Sequence, residues 1–287
     1  MKKILIFSDG EKIGDGLIKL PFLQEIFLHF KNSKITWLAY GTTVYSTTMN
    51  KIASKYLNEV ICNSDLNVLP WKKISNSYDF QNKFYDIIID TQKTVYKTIA
   101  LKRIKSKIFV SSTASWLFSD LKPKNNYNKN KYYLENLFDM LSLITNKKVN
   151  HINNYLFPQK LETDLKNIFK NKKPCIGIAP GAGEKDRKWK IENFLKVSKF
   201  FMNKGYSIAF FVGPNELYEK KIILETFPNA FFPEDLIKNF LGLEVVMCST
   251  KYLVCSLSND TGTGHMLSTN FCPLLKLFSK NDPVKFT

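Results

Sequence analysis

Short apolar runs alternate with amphipathic stretches along the first third of the chain. Ile4 to Phe7, Ile35 to Tyr40 and Tyr85 to Asp90 read as strands, and Lys107 to Val110 as a further one. Between the first two, Leu17 to Phe30 reads as a helix, because Phe22, Ile26 and Phe30 recur at i, i+4 and i+8 and so share one face. Pro21 must then lie near the start of that helix or kink it, since proline lacks an N–H and its ring crowds the preceding turn. Strands followed by helices predict a parallel sheet. Lys122 to Lys131 is polar and charged and reads as an exposed loop, and Tyr133 to Ile144 as a helix. The polar passage Thr145 to Asn154 serves as a connection, dividing the chain into residues 1–150 and 151–287.

The second half repeats the pattern. Cys175 to Ala179 reads as a strand, Ile191 to Asn203 as a helix closed by Gly205, and Tyr206 to Val212 as the next strand. Glu216 to Phe227 and Leu236 to Cys248 read as helices, Tyr252 to Leu257 as a strand, Gly262 to Ser268 as a short helix and Pro273 to Phe278 as the last strand. Two α/β halves, each with its own sheet, are the simplest account. Such halves place ligand at the carboxyl ends of their strands, between them.

Composition sharpens this picture. At 287 residues, 44% of them hydrophobic, the chain is a folded protein and not a disordered one. Lys and Arg number 42 against 25 Asp and Glu, a net charge of +17 that favours polyanions: nucleic acid, an anionic membrane or phosphorylated substrates. Five cysteines, none in a Cys-x-x-Cys pair, and three histidines, none at ligand spacing, argue against a disulfide framework or a zinc module. The apolar run after Met1-Lys2-Lys3 breaks at Ser8-Asp9-Gly10, too early for a signal sequence, and no apolar stretch approaches a membrane span, so the expected compartment is the cytoplasm.

Three turns carry candidate chemistry. Ser8 to Leu17 lacks the G-x-G-x-x-G spacing of a dinucleotide turn, but Gly10, Gly14 and Gly16 allow close backbone approach to a ligand. Asp15, where that loop feeds the helix, reads either as a general base acting on a hydroxyl or as a helix cap. Ala179 to Trp189 joins small residues, Gly181 and Ala182 among them, to the cations Lys185, Arg187 and Lys188 ahead of a helix. It reads as a diphosphate site or as a solvated basic turn. In Ser258 to His265, Thr261, Gly262 and Thr263 offer donors to an anion, and Asp260 can accept from sugar hydroxyls. His265 reads more readily as a structural hydrogen-bonding residue than as a catalytic one.

Taken in order, these segments resemble glycosyltransferase family 9, the ADP-heptose:lipopolysaccharide heptosyltransferases. The matching stretches are Ile13-Gly14-Asp15 with Pro21, Pro180-Gly181-Ala182 leading to Arg187-Lys188-Trp189, Val212-Gly213-Pro214-Asn215-Glu216, Asn259-Asp260-Thr261-Gly262 with His265, and Phe278 with Asp282-Pro283. The resemblance implies a GT-B fold of two Rossmann-like domains facing across a cleft, the first on the acceptor side, the second binding nucleotide sugar. It implies Asp15 as the base that activates the acceptor, Arg187 and Lys188 as donor-phosphate contacts, and Glu216 near the donor's ribose. Gly181, Ala182, Asp260, Thr261, Gly262 and His265 would complete the donor site, and no acceptor residue is assigned. It further implies inversion at the sugar, no metal or other cofactor, a lipid-linked or oligosaccharide acceptor, and peripheral attachment at the inner face of an anionic membrane. Trp189-Lys190 departs from the family's Trp-Pro, and Thr263-Gly264 from the small residue or proline usual after Thr-Gly. The chain also stops several tens of residues before the family's usual end, so the second domain is expected to be truncated.

Two rivals remain at this point. A basic nucleic-acid-binding protein would use the charge and the 14% aromatic content, but no motif of that kind is present and the aromatics lie mostly within apolar runs. A catalytically weak family member would bind nucleotide sugar only.

Overall fold

The computed structural model describes residues 1–64, 66–67, 83–124, 127, 132–150, 155–172, 174–182 and 188–279. The chain divides into two compact units, the boundary falling between residues 152 and 153.

The first unit runs β1 (Lys3–Ser8), α1 (Ile13–His29), β2 (Lys34–Ala39), α2 (Asn50–Ala53), β3 (Glu59–Ile61), β4 (Phe84–Asp90), α3 (Val95–Lys102), β5 (Lys105–Ser111) and α4 (Tyr133–Thr145). Its sheet has the order β3-β2-β1-β4-β5 and is parallel throughout. Ile4 of β1 lies opposite both Ile35 of β2 and Ile87 of β4. That register explains the unbroken apolar run Ile4 to Phe7, because a central strand of a parallel sheet is covered on both faces and has no solvent side to mark with polar residues. Leu5, Phe7, Leu38, Ile88, Leu101 and Phe109 make much of one core cluster.

The second unit runs α5 (Gln159–Phe169), β6 (Cys175–Ala179), α6 (Ile191–Met202), β7 (Ser207–Phe210), α7 (Leu217–Thr226), α8 (Pro233–Leu236), α9 (Gly242–Ser249), β8 (Cys255–Asn259), α10 (Gly262–Leu267) and β9 (Leu274–Leu277). Its sheet, β7-β6-β8-β9, is also parallel. Ile176, Ile178, Phe194, Phe210 and Ile223 anchor its core. Gly205 takes φ 85°, the left-handed conformation that lets the chain leave α6 and turn into β7.

Several expectations need correction. Of the two places expected for Pro21 the helix start falls: α1 begins at Ile13 and not Leu17, so Pro21 is interior. Leu236 to Cys248 is not one helix. Glu244 accepts the Leu241 N–H at 3.2 Å and opens α9 afresh at Gly242, after α8 has closed at Leu236. The apolar periodicity carried across that break and concealed it. Tyr252 lies in a 3₁₀ turn ahead of β8, and α3, α5 and β3 had no counterpart in the sequence reading. Part of the Lys122 to Lys131 stretch lies outside the described residues.

Candidate functional site

In each sheet the strand order reverses beside one central strand, and a crevice outside the carboxyl ends is expected there. In the second unit the reversal lies at β6 and β8. The turns following those strands are the ones rich in donors and small residues.

Asn259, the last residue of β8, ties these turns together. It is fully buried. Its side-chain amide donates to the carbonyls of Pro180 (2.8 Å) and Gly181 (3.2 Å), and its Oδ1 accepts the Trp189 N–H at 3.1 Å. One side chain thereby spans both ends of the segment after β6. Glu216 joins from the start of α7: its Oε2 accepts the Gly213 N–H at 2.8 Å, and its carboxylate lies where a Cβ on Gly181 would overlap it. A side chain at 181 would therefore have to displace that carboxylate, and Ala182 beside it is half-buried.

Past Asn259 the chain enters α10. Thr261 caps this helix, its hydroxyl oxygen accepting the Gly264 N–H at 3.2 Å, and half-buried Gly262 is the first helical residue. The hydroxyl expected to serve an anion thus also holds its own helix start. Gly264 has no room for a side chain, since a Cβ would press on Ser258 Oγ and the Asn259 carbonyl. Asp260 pairs with Lys276 of β9, Oδ1 to Nζ 2.9 Å, and the same ammonium lies 3.0 Å from Nε2 of His265. Burial and the adjacent Lys276, against the opposing pull of Asp260, bring His265 down to about 4, so the ring is neutral at physiological pH. Burial likewise lowers Lys276, with Asp260 acting against it. Lys188 is paired with the buried carboxylate of Glu219. Arg187, Lys185 and the Asp282-Pro283 pair lie outside the described residues.

In the first unit the reversal lies at β1 and β4. Asp15 stands exposed in the first turn of α1 and not in the loop ahead of it, because the helix begins at Ile13; Lys12, not Asp15, occupies the N-cap. The glycines around it serve packing: Gly10, at φ 124°, backs onto the Thr42 carbonyl, and Gly16 onto Val44 and Met49. Beneath the loop lies a buried polar cluster. Glu11 accepts from Lys19 (2.7 Å) and Trp37 Nε1 (3.3 Å) and pairs with Ser8, while Lys19 also reaches Ser8 Oγ at 3.2 Å. Burial alone would lower the Lys19 ammonium, but Tyr133, Glu11 and Asp15 outweigh it and hold it above its ordinary value. Asp90, at the end of β4, is buried among Thr98 (2.6 Å), Ser111 (2.9 Å) and the Gln92 N–H (2.9 Å). Desolvation raises it to about 6 despite these donors. Lys97 pairs with Asp9 and lies 4.3 Å from the centre of the Tyr40 ring.

Sequence reasoning assigned no role to Asn259, Lys276, Glu11 or Lys19. Two of them left a signal. Lys19 shares the apolar face of Phe22 and Ile26, and Lys276 interrupts an apolar strand; a lysine in either place needs a buried partner. Among the described residues no three His, Cys, Asp or Glu side chains gather as metal ligands, and no helix is long and apolar enough to cross a membrane. A groove of about 440 Å³ beside Tyr206, Phe227 and Phe231 opens near the amino end of β7, at the other end of the strands from these turns.

Comparison with known proteins bears on this arrangement. The model of glycosyltransferase family 9 (heptosyltransferase) matches residues 78–287. Lipooligosaccharide heptosyltransferase 2 of Campylobacter jejuni is 26% identical over 306 residues, covering 96% of this chain and 80% of that protein. Among solved structures, a family 9 glycosyl transferase from Veillonella parvula superposes with a TM-score of 0.67 at 15% identity, covering 99% of this chain and 83% of that one. E. coli heptosyltransferase WaaC with ADP-2-deoxy-2-fluoro heptose superposes at 0.65 and 18% identity, covering 98% and 90%. These likenesses place the two parallel-sheet units in the GT-B fold class.

Proposed function

Because this chain belongs to glycosyltransferase family 9, the heptosyltransferases, we propose that it transfers a heptose, with inversion, from an ADP-heptose type donor to a lipopolysaccharide-core acceptor. The chain is a glycosyltransferase; the donor, the acceptor and the residue roles are our reading. The observation that carries this reading is the Asn259 bridge, which gathers the turns after β6 and β8 at the point where strand order reverses. Around it, Gly181, Ala182, Glu216, Asp260, Thr261, Gly262 and His265 form the donor site, with Lys188 and Arg187 supplying charge near the diphosphate.

In this mechanism residues 151–287 bind the donor and residues 1–150 receive the acceptor. Asp15 takes the proton of the attacking hydroxyl as the new C–O bond forms. The bond from the anomeric carbon to the diphosphate breaks, and its electron pair leaves with the phosphate, where cations and N–H donors stabilise the gathering charge. Attack opposite the leaving group inverts the sugar. The step requires no metal on the protein in this scheme. A lipid-linked acceptor at an anionic inner leaflet gives the net charge of +17 a use, since each basic residue near such a surface adds about 1 kcal/mol of attraction.

The test is transfer from ADP-heptose to a heptose-deficient core acceptor. Asp15→Asn is expected to lower kcat by about a hundredfold or more, the usual contribution of a general base, with ADP affinity unchanged. Equal rates for the two proteins would remove Asp15 from the mechanism, and failure of the parent to bind any nucleotide sugar would remove the donor site.

A further inference from the structure

Three elements meet at one buried ammonium. Lys276 comes from β9, Asp260 follows β8 and His265 lies in α10. The side chains of Lys276 and Asp260 are each only 7% exposed. Lys276 Nζ is 2.9 Å from Asp260 Oδ1 and 3.0 Å from His265 Nε2, and it sits 5.2 Å from the centre of the Phe278 ring.

The chemistry of these groups decides their roles. An ammonium has three donors and no acceptor, so at 3.0 Å from it the ring nitrogen must accept. Nε2 then carries the lone pair, and in a neutral imidazole the proton resides on Nδ1. The same ammonium cancels a carboxylate adjoining Thr261 and Gly262. Left unpaired there, Asp260 would repel a bound phosphate in surroundings of reduced dielectric, where such repulsion is stronger than in water.

We infer that Lys276 is a positioning residue of the donor-diphosphate turn: it neutralises Asp260 and fixes His265 as the Nδ1–H tautomer, leaving one N–H for an anionic donor oxygen. This rests on the donor-site reading given above. Lys276 itself acts through its two neighbours. Its position differs from the candidate phosphate cations Arg187 and Lys188, which precede α6.

Nitrogen-15 NMR of the imidazoles tests the tautomer in the intact parent, with His265→Asn identifying the resonances among three histidines. Expected is a protonated Nδ1 and a lone-pair Nε2, constant from pH 6 to 8. In Lys276→Met this preference is lost and ADP binds about tenfold more weakly, a change of about 1.4 kcal/mol, while Lys276→Arg recovers part of the affinity. An Nε2–H tautomer in the parent, or Lys276→Met binding ADP as the parent does, overturns the inference. Should Lys276→Met fail to fold, the parent's spectrum alone decides the tautomer. Should the parent not bind ADP, the donor reading falls, whereas the spectrum still decides whether Lys276 directs His265.

Discussion

Lys19→Met removes the positive member of the buried pair beneath the Asp15 loop and leaves the Glu11 carboxylate behind. That carboxylate has no exposed side-chain surface, and Lys19, at 2.7 Å, is its only cationic partner among the described residues; Trp37 and Ser8 remain as neutral partners. Water cannot replace the lost charge. Removing one member of a buried ion pair typically costs about 3–5 kcal/mol, because the survivor stays desolvated. For a unit of this size each kcal/mol lowers the melting temperature by roughly 2–4 °C, so a fall of roughly 10 °C is expected. In the double variant Glu11→Gln/Lys19→Met no charge is stranded, and most of the loss should be recovered. The coupling between the two sites should then be about 2 kcal/mol or more. Urea and thermal unfolding of the parent, both single variants and the double variant close the cycle. A Lys19→Met protein within about 1 kcal/mol of the parent, or a double variant as unstable as the worse single one, would refute the reasoning.

Three further expectations follow from the geometry. Asn259→Ala strands the buried carbonyls of Pro180 and Gly181 and removes the acceptor of the part-buried Trp189 N–H, so it should cost about 2–4 kcal/mol and abolish ADP binding, read by calorimetry on protein shown to be folded; retained affinity would deny the bridge its organising role. Gly181→Ala should weaken nucleotide binding while leaving the melting temperature nearly unchanged, because its Cβ displaces the Glu216 carboxylate and that side chain can swing away; unchanged affinity would place Glu216 outside the binding site. Asp90, held at about 6 against 3.8 when unfolded, keeps its proton longer in the native state, so stability falls as pH rises from about 4 to 6. At neutral pH the ionised native form is disfavoured by about 3 kcal/mol, and Asp90→Asn should erase that slope in urea midpoints measured against pH. A slope that survives the substitution assigns it to other groups.

The sequence by itself determined the fold class and the position of the chemistry-bearing turns. Fully buried parallel strands show as unbroken apolar runs such as Ile4 to Phe7 and Cys175 to Ala179, because both faces of such a strand meet the same environment. Turns after these strands must free backbone groups, so Pro180-Gly181 and Thr261-Gly262 stand out as small and polar. Tertiary structure alone decided which of these residues meet. Asn259 reaches back 79 residues to Pro180, and Lys276 finds its acceptors on two other elements, pairings that no local spacing encodes. Asp15 and Lys19 are four residues apart on one helix, yet what makes Lys19 matter is Glu11 and Trp37 beneath it. Periodicity reports which way a side chain faces. It does not report what the neighbouring strand brings to meet it, because a buried charge is compensated through space by groups distant along the chain.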